Sequence, residues 1–486
     1  MEKAWFWTVG MPDAFFRAIS AHSASKGDTP MKLSVIGGGG GRSMFLAKSI
    51  AQRAESLGIK QLVFMDINAE KLALFGGMAA KVAGMLAPEM AFSLTTDPAL
   101  AVQDADYVIT TLRVGGDALR SRDEHIALDL GILGQETTGA AGFSFAMRSV
   151  PALAEYCRLI RKHAKPGVKV FNFTNPVGIV SQALRDMGYD FTYGICDAPS
   201  GMLSQFAGLY GKTGREIRGD LFGLNHLSWF HQVWLEGRDI MPELLRSPEA
   251  HAKSDLKFFE PELLRFLGYI PNEYLYYYYH RERAVENILK AGKTRGDIIL
   301  EINAQMEAEM KGLDPDRDFD RCLQIFTKWY GIREAQYMAN ETGVKRGIPP
   351  WSFDPFAPDE GGYAGVALNF IDIERSGQED NMILTVPNAG AVDFLKDTDT
   401  VEVTCDITRT GCRPRRFPRV PDDQQELIRR VKYFERLGAQ AIIHKDKHRA
   451  VKALMLHPLV NSYSLARQLA EAYIRLNADF TGVWHE

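Results

Sequence analysis

The sequence predicts an α/β protein: a doubly wound parallel sheet followed by a second domain of mixed α and β structure. Three observations carry this. An apolar run at residues 32–37 (KLSVIG) enters five consecutive glycines and leaves them in a stretch of helical spacing that ends at Gly58. Strand-like and helical stretches then alternate at lengths suited to parallel strands joined by crossover helices. Beyond about Pro199 the alternation gives way to longer helical stretches and later strands.

Each element has its own reason. Residues 32–37 lack polar alternation, as a strand covered on both faces should. Residues 61–67 (QLVFMDI) read as the second strand, followed by a helix from Asn68 to about Met85. Residues 104–112 (DADYVITTL) and 168–174 (VKVFNFT) read as buried strands separated by a helix around 148–163. In the later part, residues 273–290 and 297–311 read as long helices, MILTVPN and TVEVTCDI as strands, and 347–363, rich in Pro and Gly, as a loop. RPRRFPR at 413–419 reads as a basic connection, and long helices return from Asp422 to the end. The expected division is residues 31–199 for a dinucleotide-binding domain and 200–486 for a substrate and oligomerisation domain. Residues 1–30 stand apart. Met31 directly precedes the first strand, so this stretch is either an extension or a start placed upstream, with Trp5, Phe6, Trp7, Phe15 and Phe16 available to pack on the domain surface.

Composition excludes several classes. Lys+Arg 57 against Asp+Glu 61, a formal charge of -4, gives no cationic excess for a nucleic-acid backbone. Five cysteines without a CxxC pair argue against a disulfide framework and for a reducing, cytoplasmic setting. No apolar run is long enough to suggest a membrane span or a signal peptide.

Gly37, Gly38 and Gly39 open the glycine run, where a backbone without Cβ atoms can approach a pyrophosphate at a helix N-terminus. Asp66 ends the second strand 29 positions after Gly37, where an acid can bond the adenosine ribose and select NAD over NADP. Together they predict NAD as cofactor. The competing reading is a flexible turn with an acid capping the next helix.

Polar residues collect at the predicted strand ends, where ligands bind in open parallel sheets. They are Arg113 in LRVGG, Gln135, Glu136 and Thr137 in GQETTG, Asn172 and Asn175 in FNFTNPVG, Cys196 in GICDAP, and Asn225 and His226 in GLNHLSW. Cys196 and His226, as thiolate and imidazole, can hold a divalent ion with open positions for substrate oxygens. By composition alone they read instead as a buried thiol and a hydrogen-bonded core histidine. Tyr274 begins the run YLYYYY, whose residues 276–279 read as an aromatic core stripe.

The order GGGGGRS, LRVGGDALRSRDE, GQETTGAAGF, NFTNPVGI, GICDAP, GLNHLSW, NEYLYYYY and KTRGD resembles glycoside hydrolase family 4, from about Met31 to the C-terminal helices. This NAD- and manganese-dependent family of 6-phosphoglucosidases and relatives stands outside two-carboxylate glycoside hydrolysis. The resemblance implies a lactate/malate dehydrogenase-like, Rossmann-like fold. It also implies transient oxidation at sugar C3, deprotonation at C2, elimination of the aglycone, and addition of water. By the same resemblance Cys196 and His226 are metal ligands for Mn2+, Tyr274 is the base, Arg113 and Asn175 hold the sugar, and Arg295 lies near the sugar phosphate. A homodimer or homotetramer is expected.

Cys196-Asp197-Ala198-Pro199 differs from the CHS pattern of enzymes on unphosphorylated sugars and leaves the anomer open. GLNHLSWF and the C-terminal region resemble the 6-phospho-β-glucosidases more than the 6-phospho-α-glucosidases. The competing classes are a 2-hydroxyacid dehydrogenase, which needs a His–Asp pair but neither metal nor thiolate, and a non-catalytic NAD sensor.

Overall fold

The computed structural model describes residues 30–345, 352–358, 362–417 and 419–486. The aromatic residues expected to pack from the first thirty, and residues 347–351 and 359–361 of the loop expected at 347–363, lie outside the described residues; 352–358 form neither helix nor strand, and a helix starts at Gly362.

Six parallel strands form the first half: β1 (Met31–Ile36), β2 (Ile59–Met65), β3 (Ala91–Thr95), β4 (Tyr107–Thr110), β5 (Lys169–Asn172) and β6 (Thr192–Gly194). Their order, 3-2-1-4-5-6, is that of a dinucleotide-binding Rossmann sheet. β1 and β4 are buried along their whole length, as strands covered on both faces must be. Leu33, Val35 and Ile36 are fully buried, each stabilising the sheet by roughly 1.5–3 kcal/mol.

Helix α1 (Ser43–Leu57) follows the glycines and stops at Gly58, whose φ of 69° lets the chain turn out of the helix. α2 (Gly116–Leu128) and α3 (Gly139–His163) lie between β4 and β5, and α3 starts nine residues before the expected Arg148.

The second half contributes a small antiparallel sheet of β7 (Ile217–Leu224), β8 (Leu227–Leu235), β9 (Arg238–Asp239) and β10 (Ile270–Pro271). The helix expected over 273–290 is broken. A 3-10 turn (Glu273–Leu275) and one helical turn (Tyr276–Tyr279) precede a separate helix (Arg281–Ala291), because His280 leaves helical geometry at φ −130°, ψ 39°. α4 (Arg295–Met310) is capped by Thr294, whose side chain and that of Asp297 satisfy each other's backbone N–H groups. α5 (Phe319–Ala335) packs Phe326 and Cys322 against Met44 of α1 and Phe75.

The last strands, β11 (Asp380–Pro387), β12 (Thr400–Thr408) and β13 (Gly411–Pro414), do not form a sheet of their own. β11 pairs antiparallel with β6 at Thr385 and Gly194, and β12 and β13 follow it, making one sheet of nine strands. The stretch after residue 200, expected as a separate domain, therefore completes the first sheet as well as building the second. β6 alone would expose an unpaired edge, which β11 covers. β12 also joins the two sheets, since Thr404 Oγ1 accepts from Leu221 N at 2.8 Å and donates to Gly219 O at 3.0 Å. α6 (Asp422–His444) and the following helices close the chain, as expected.

Candidate active site

The glycine turn is held against the ends of β2 and β4. Gly37 and Gly38 donate N–H to Met65 O, both at 2.8 Å, and Ser43 Oγ donates to Gly38 O at 2.6 Å. Gly37 has φ 98°, and a Cβ there would lie 2.3 Å from Thr111 O. A Cβ on Gly38 would meet Phe64 Cβ at 2.7 Å. Gly40 has nothing closer than 3.7 Å, so its outer face is free for a ligand to approach. Asp66 Oδ2 accepts from Gly39 N at 3.0 Å and Oδ1 from Asn68 N at 2.9 Å. Burial raises the Asp66 carboxyl above its ordinary value, with these backbone N–H groups opposing the shift.

A cavity of about 680 Å³ runs from this turn to the strand ends and is lined by Gly37, Gly39, Asp66, Arg113, Asn175, Cys196, His226, Tyr274 and Arg295. Gln135 and Glu136 line it too, whereas Thr137, Asn172 and Asn225 do not; of the ten residues given a cofactor, metal, sugar or base role in the sequence, nine meet there. The exception is Gly38, whose role is close packing on Phe64.

Topology explains the convergence. Arg113 follows β4, Asn175 follows β5, Cys196 follows β6, and all three leave the C-terminal edge of the parallel sheet. His226 occupies the two-residue turn between β7 and β8 at φ 63°. The turn is fixed from β12, where the buried Glu402 accepts from Asn225 Nδ2 and Ser228 Oγ, each at 2.9 Å. Tyr274 sits on the 3-10 turn after β10, and Arg295 is the first residue of α4.

Cys196 Sγ lies 3.6 Å from His226 Nε2. On the other side of the imidazole, Thr137 Oγ1 lies 3.0 Å from Nδ1. Tyr274 stacks on His226 with ring centroids 3.7 Å apart and planes at 1°. Burial pushes His226 down to about 3, so its ring is neutral, and pushes the Cys196 thiol and Tyr274 hydroxyl well up. A bound cation reverses the last two shifts, because it favours thiolate and phenolate. Among the described residues no third Cys, His, Asp or Glu joins Cys196 and His226 as a metal group, which leaves positions for neutral oxygens. Asn175 Oδ1 is buried in the same cavity without a hydrogen-bond donor among the described residues. A soft thiol, an imidazole nitrogen and an amide oxygen suit a divalent transition metal.

Charged groups organise the rest. Arg113 Nη1 donates to Glu136 Oε2 at 2.5 Å, and Arg120 Nη1 approaches the same oxygen at 3.1 Å. Burial alone would raise the Glu136 carboxyl, but the two guanidinium groups hold it down at about 2. Arg295 Nη2 donates to Arg333 O at 2.9 Å, while Arg295 Nη1 and Arg333 Nε find no acceptor among the described residues. Burial and neighbouring Arg42 and Arg295 lower Arg333 to about 10. A buried polar group without a partner costs roughly 1–3 kcal/mol, a cost that an anionic ligand here removes.

Sequence reasoning missed Arg120, Arg333, Tyr337 and Glu341. The last three recur every fourth residue, a spacing that by itself does not distinguish a cavity wall from a solvated face, and the chain leaves helical geometry between them, at Met338 with φ 54°.

A Rossmann sheet that carries a thiol at a strand end, beside an imidazole from the β7–β8 turn and a tyrosine stacked on it, defines a dinucleotide-dependent enzyme of the metal-assisted kind. The model of the family 4 glycosyl hydrolases matches residues 32–211, and that of the family 4 glycosyl hydrolase C-terminal domain matches residues 221–460. The chain belongs to family 4 of the glycosyl hydrolases. It is 28% identical over 450 residues to a probable 6-phospho-β-glucosidase of Bacillus subtilis, covering 91% of this chain and 95% of that one. The 6-phospho-β-glucosidase of Thermotoga maritima, solved with manganese, NAD+ and glucose-6-phosphate, superposes with a TM-score of 0.76 at 25% identity, covering 93% and 99% of the two chains. A 6-phospho-α-glucosidase from gut microorganisms, solved with NAD and Mn2+, gives a TM-score of 0.75 at 25% identity, covering 94% and 100%.

Proposed function

We propose that this chain is a 6-phospho-β-glucosidase acting by NAD-dependent transient oxidation at C3 and elimination across C2 and C1. The observation that supports it most is the convergence of the glycine turn, Cys196, His226 and Tyr274 on one cavity. Gly37, Gly38 and Gly39 shape the turn that seats NAD, and Asp66 accepts the ribose hydroxyl. Cys196 and His226 hold Mn2+. When bound, NAD supplies the hydride acceptor and Mn2+ the Lewis acid that acidifies the C2 proton. Tyr274 takes that proton as phenolate, Arg113 and Asn175 orient the sugar, and Arg295 offers a guanidinium fork to the 6-phosphate dianion. Hydrolysis of the α-linked phosphoglucosides by the same steps is the second reading, since Cys196-Asp197-Ala198-Pro199 leaves the anomer open and the fold is shared with the α-enzyme as well. Among the described residues no helix is long and apolar enough to cross a membrane. We place the enzyme in the cytoplasm as a homodimer or homotetramer, to be checked by sedimentation.

The deciding experiment offers α- and β-linked glucosides, with and without 6-phosphate, to the enzyme with NAD and Mn2+ in deuterated water. Cleavage of the 6-phospho-β-glucoside with deuterium at C2 of the released sugar is expected. Cleavage without deuterium at C2 would contradict the elimination chemistry.

A further inference from the structure

The hydrogen bonds behind His226 have a fixed direction. Thr137 N donates to Gln135 Oε1 at 2.8 Å. An N–H can only donate, so the oxygen of the Gln135 amide, and not its nitrogen, faces Thr137. The same oxygen accepts the Thr137 hydroxyl at 3.0 Å. A hydroxyl has one proton, and here it is committed to Gln135. Thr137 Oγ1 can then only accept from His226 Nδ1, 3.0 Å away. The neutral ring therefore carries its proton on Nδ1 and leaves Nε2 bare, on the side that faces Cys196 Sγ at 3.6 Å. Gln135, Thr137 and His226 are all buried. The opposite tautomer would require the single hydroxyl proton to serve both Gln135 and Nδ1.

We propose that Thr137, aimed by Gln135, is a positioning residue that selects the His226 tautomer able to donate Nε2 to a divalent metal. The inference rests on the reading of Cys196 and His226 as metal ligands. Tyr274, stacked on the ring, fixes its plane, whereas Thr137 fixes which nitrogen is available.

The test uses the full-length protein and Mn2+ alone, titrated with free Mn2+ followed by electron paramagnetic resonance. Thr137→Val removes the hydroxyl at nearly constant shape and should weaken Mn2+ binding by on the order of 10–100-fold, the usual effect of losing an outer partner of a ligating histidine. Thr137→Ser should restore it. A second readout does not depend on Thr137→Val folding: the 15N spectrum of histidine-labelled, metal-free wild-type protein, with His226 assigned by loss of its signal in His226→Gln. A single Nδ1-protonated tautomer is expected in wild type and in Thr137→Ser. A wild-type ring protonated on Nε2, or Thr137→Val binding Mn2+ as tightly as wild type, would overturn the role of Thr137 while leaving the ligand reading intact. Mn2+ binding unaffected by His226→Gln would overturn the ligand reading itself and this inference with it.

Discussion

Asp66 already works before a cofactor arrives, tying the glycine turn through Gly39 N and the next helix through Asn68 N. Its two oxygens keep lone pairs for a ribose hydroxyl, so both readings of this acid in the sequence are compatible in one side chain. Asp66→Ala should weaken NAD far more than NADP, because NADP carries a phosphate where the carboxylate would sit. Direct binding titrations decide, and equal losses would reduce Asp66 to a brace of the turn. Glu136 gives a pH signature. Its folded value of about 2 lies below its ordinary 4.5, so its stabilisation is present above pH 4.5 and is lost as pH falls through that value towards 2. The gap corresponds to about 3 kcal/mol. In urea titrations, Glu136→Gln should be less stable than wild type at pH 7, by a margin that shrinks between pH 4.5 and 3. A margin constant over that range would show that the ion pairs with Arg113 and Arg120 do not carry the effect. Cys196, His226 and Tyr274 stood out only through the order of motifs shared with the family, since by composition the first two read as core residues. The direction of the Thr137 bond was not legible at all, since it depends on a contact across 89 residues.

The strands that the sequence showed best, β1, β2, β4 and β5, are apolar runs buried in the middle of the sheet. β3 escaped notice because it is an edge strand with no fully buried residue, and β6 because it has three residues. MILTVPN and TVEVTCDI were recognisable as strands, but periodicity says that a strand exists and not which strand it pairs with. The glycine turn shows the same division within five residues. Gly37→Ala must place a Cβ against Thr111 O at a positive φ of 98°, and should cost roughly 2–4 kcal/mol of stability from backbone strain and overlap. Gly40→Ala meets nothing nearer than 3.7 Å and should leave stability within about 0.5 kcal/mol. Its Cβ stands instead on the face proposed for the pyrophosphate, so it should act on NAD affinity alone. Thermal midpoints and NAD titrations of the two variants separate the structural glycine from the ligand-facing one, and equal midpoints would remove that distinction.

At the scale of the whole chain, nine strands in one sheet draw on both halves of the sequence, so the dinucleotide-binding half has no complete edge without residues 380–414. β12 ties that sheet to β7 through Thr404, and its Glu402 holds the turn that presents His226. α5 packs on α1 from the far side. A single apolar cluster includes Leu33 and Phe64 of the first sheet together with Trp229 and Phe230 of the second. These contacts predict unfolding as one unit, not as two domains in succession. The sequence provides the probes, because no tryptophan lies between residues 31 and 199, whereas Trp229 is fully buried in the small sheet. With Trp5 and Trp7 replaced by Phe, tryptophan emission reports on the second half, and NAD release on the first. With NAD at about 100 times its Kd, binding should stabilise the native state by about 2.7 kcal/mol. If the halves are one unit, the whole of that stabilisation must appear as a shift of the tryptophan transition in urea, although the tryptophans lie outside the glycine turn. If they are two, NAD will delay only its own release and leave the tryptophan midpoint where it was. Coincident midpoints for emission and NAD release, moving together as NAD is raised, are the expected outcome. Separate midpoints would show that the β6–β11 seam between Gly194 and Thr385 is too weak to couple the halves.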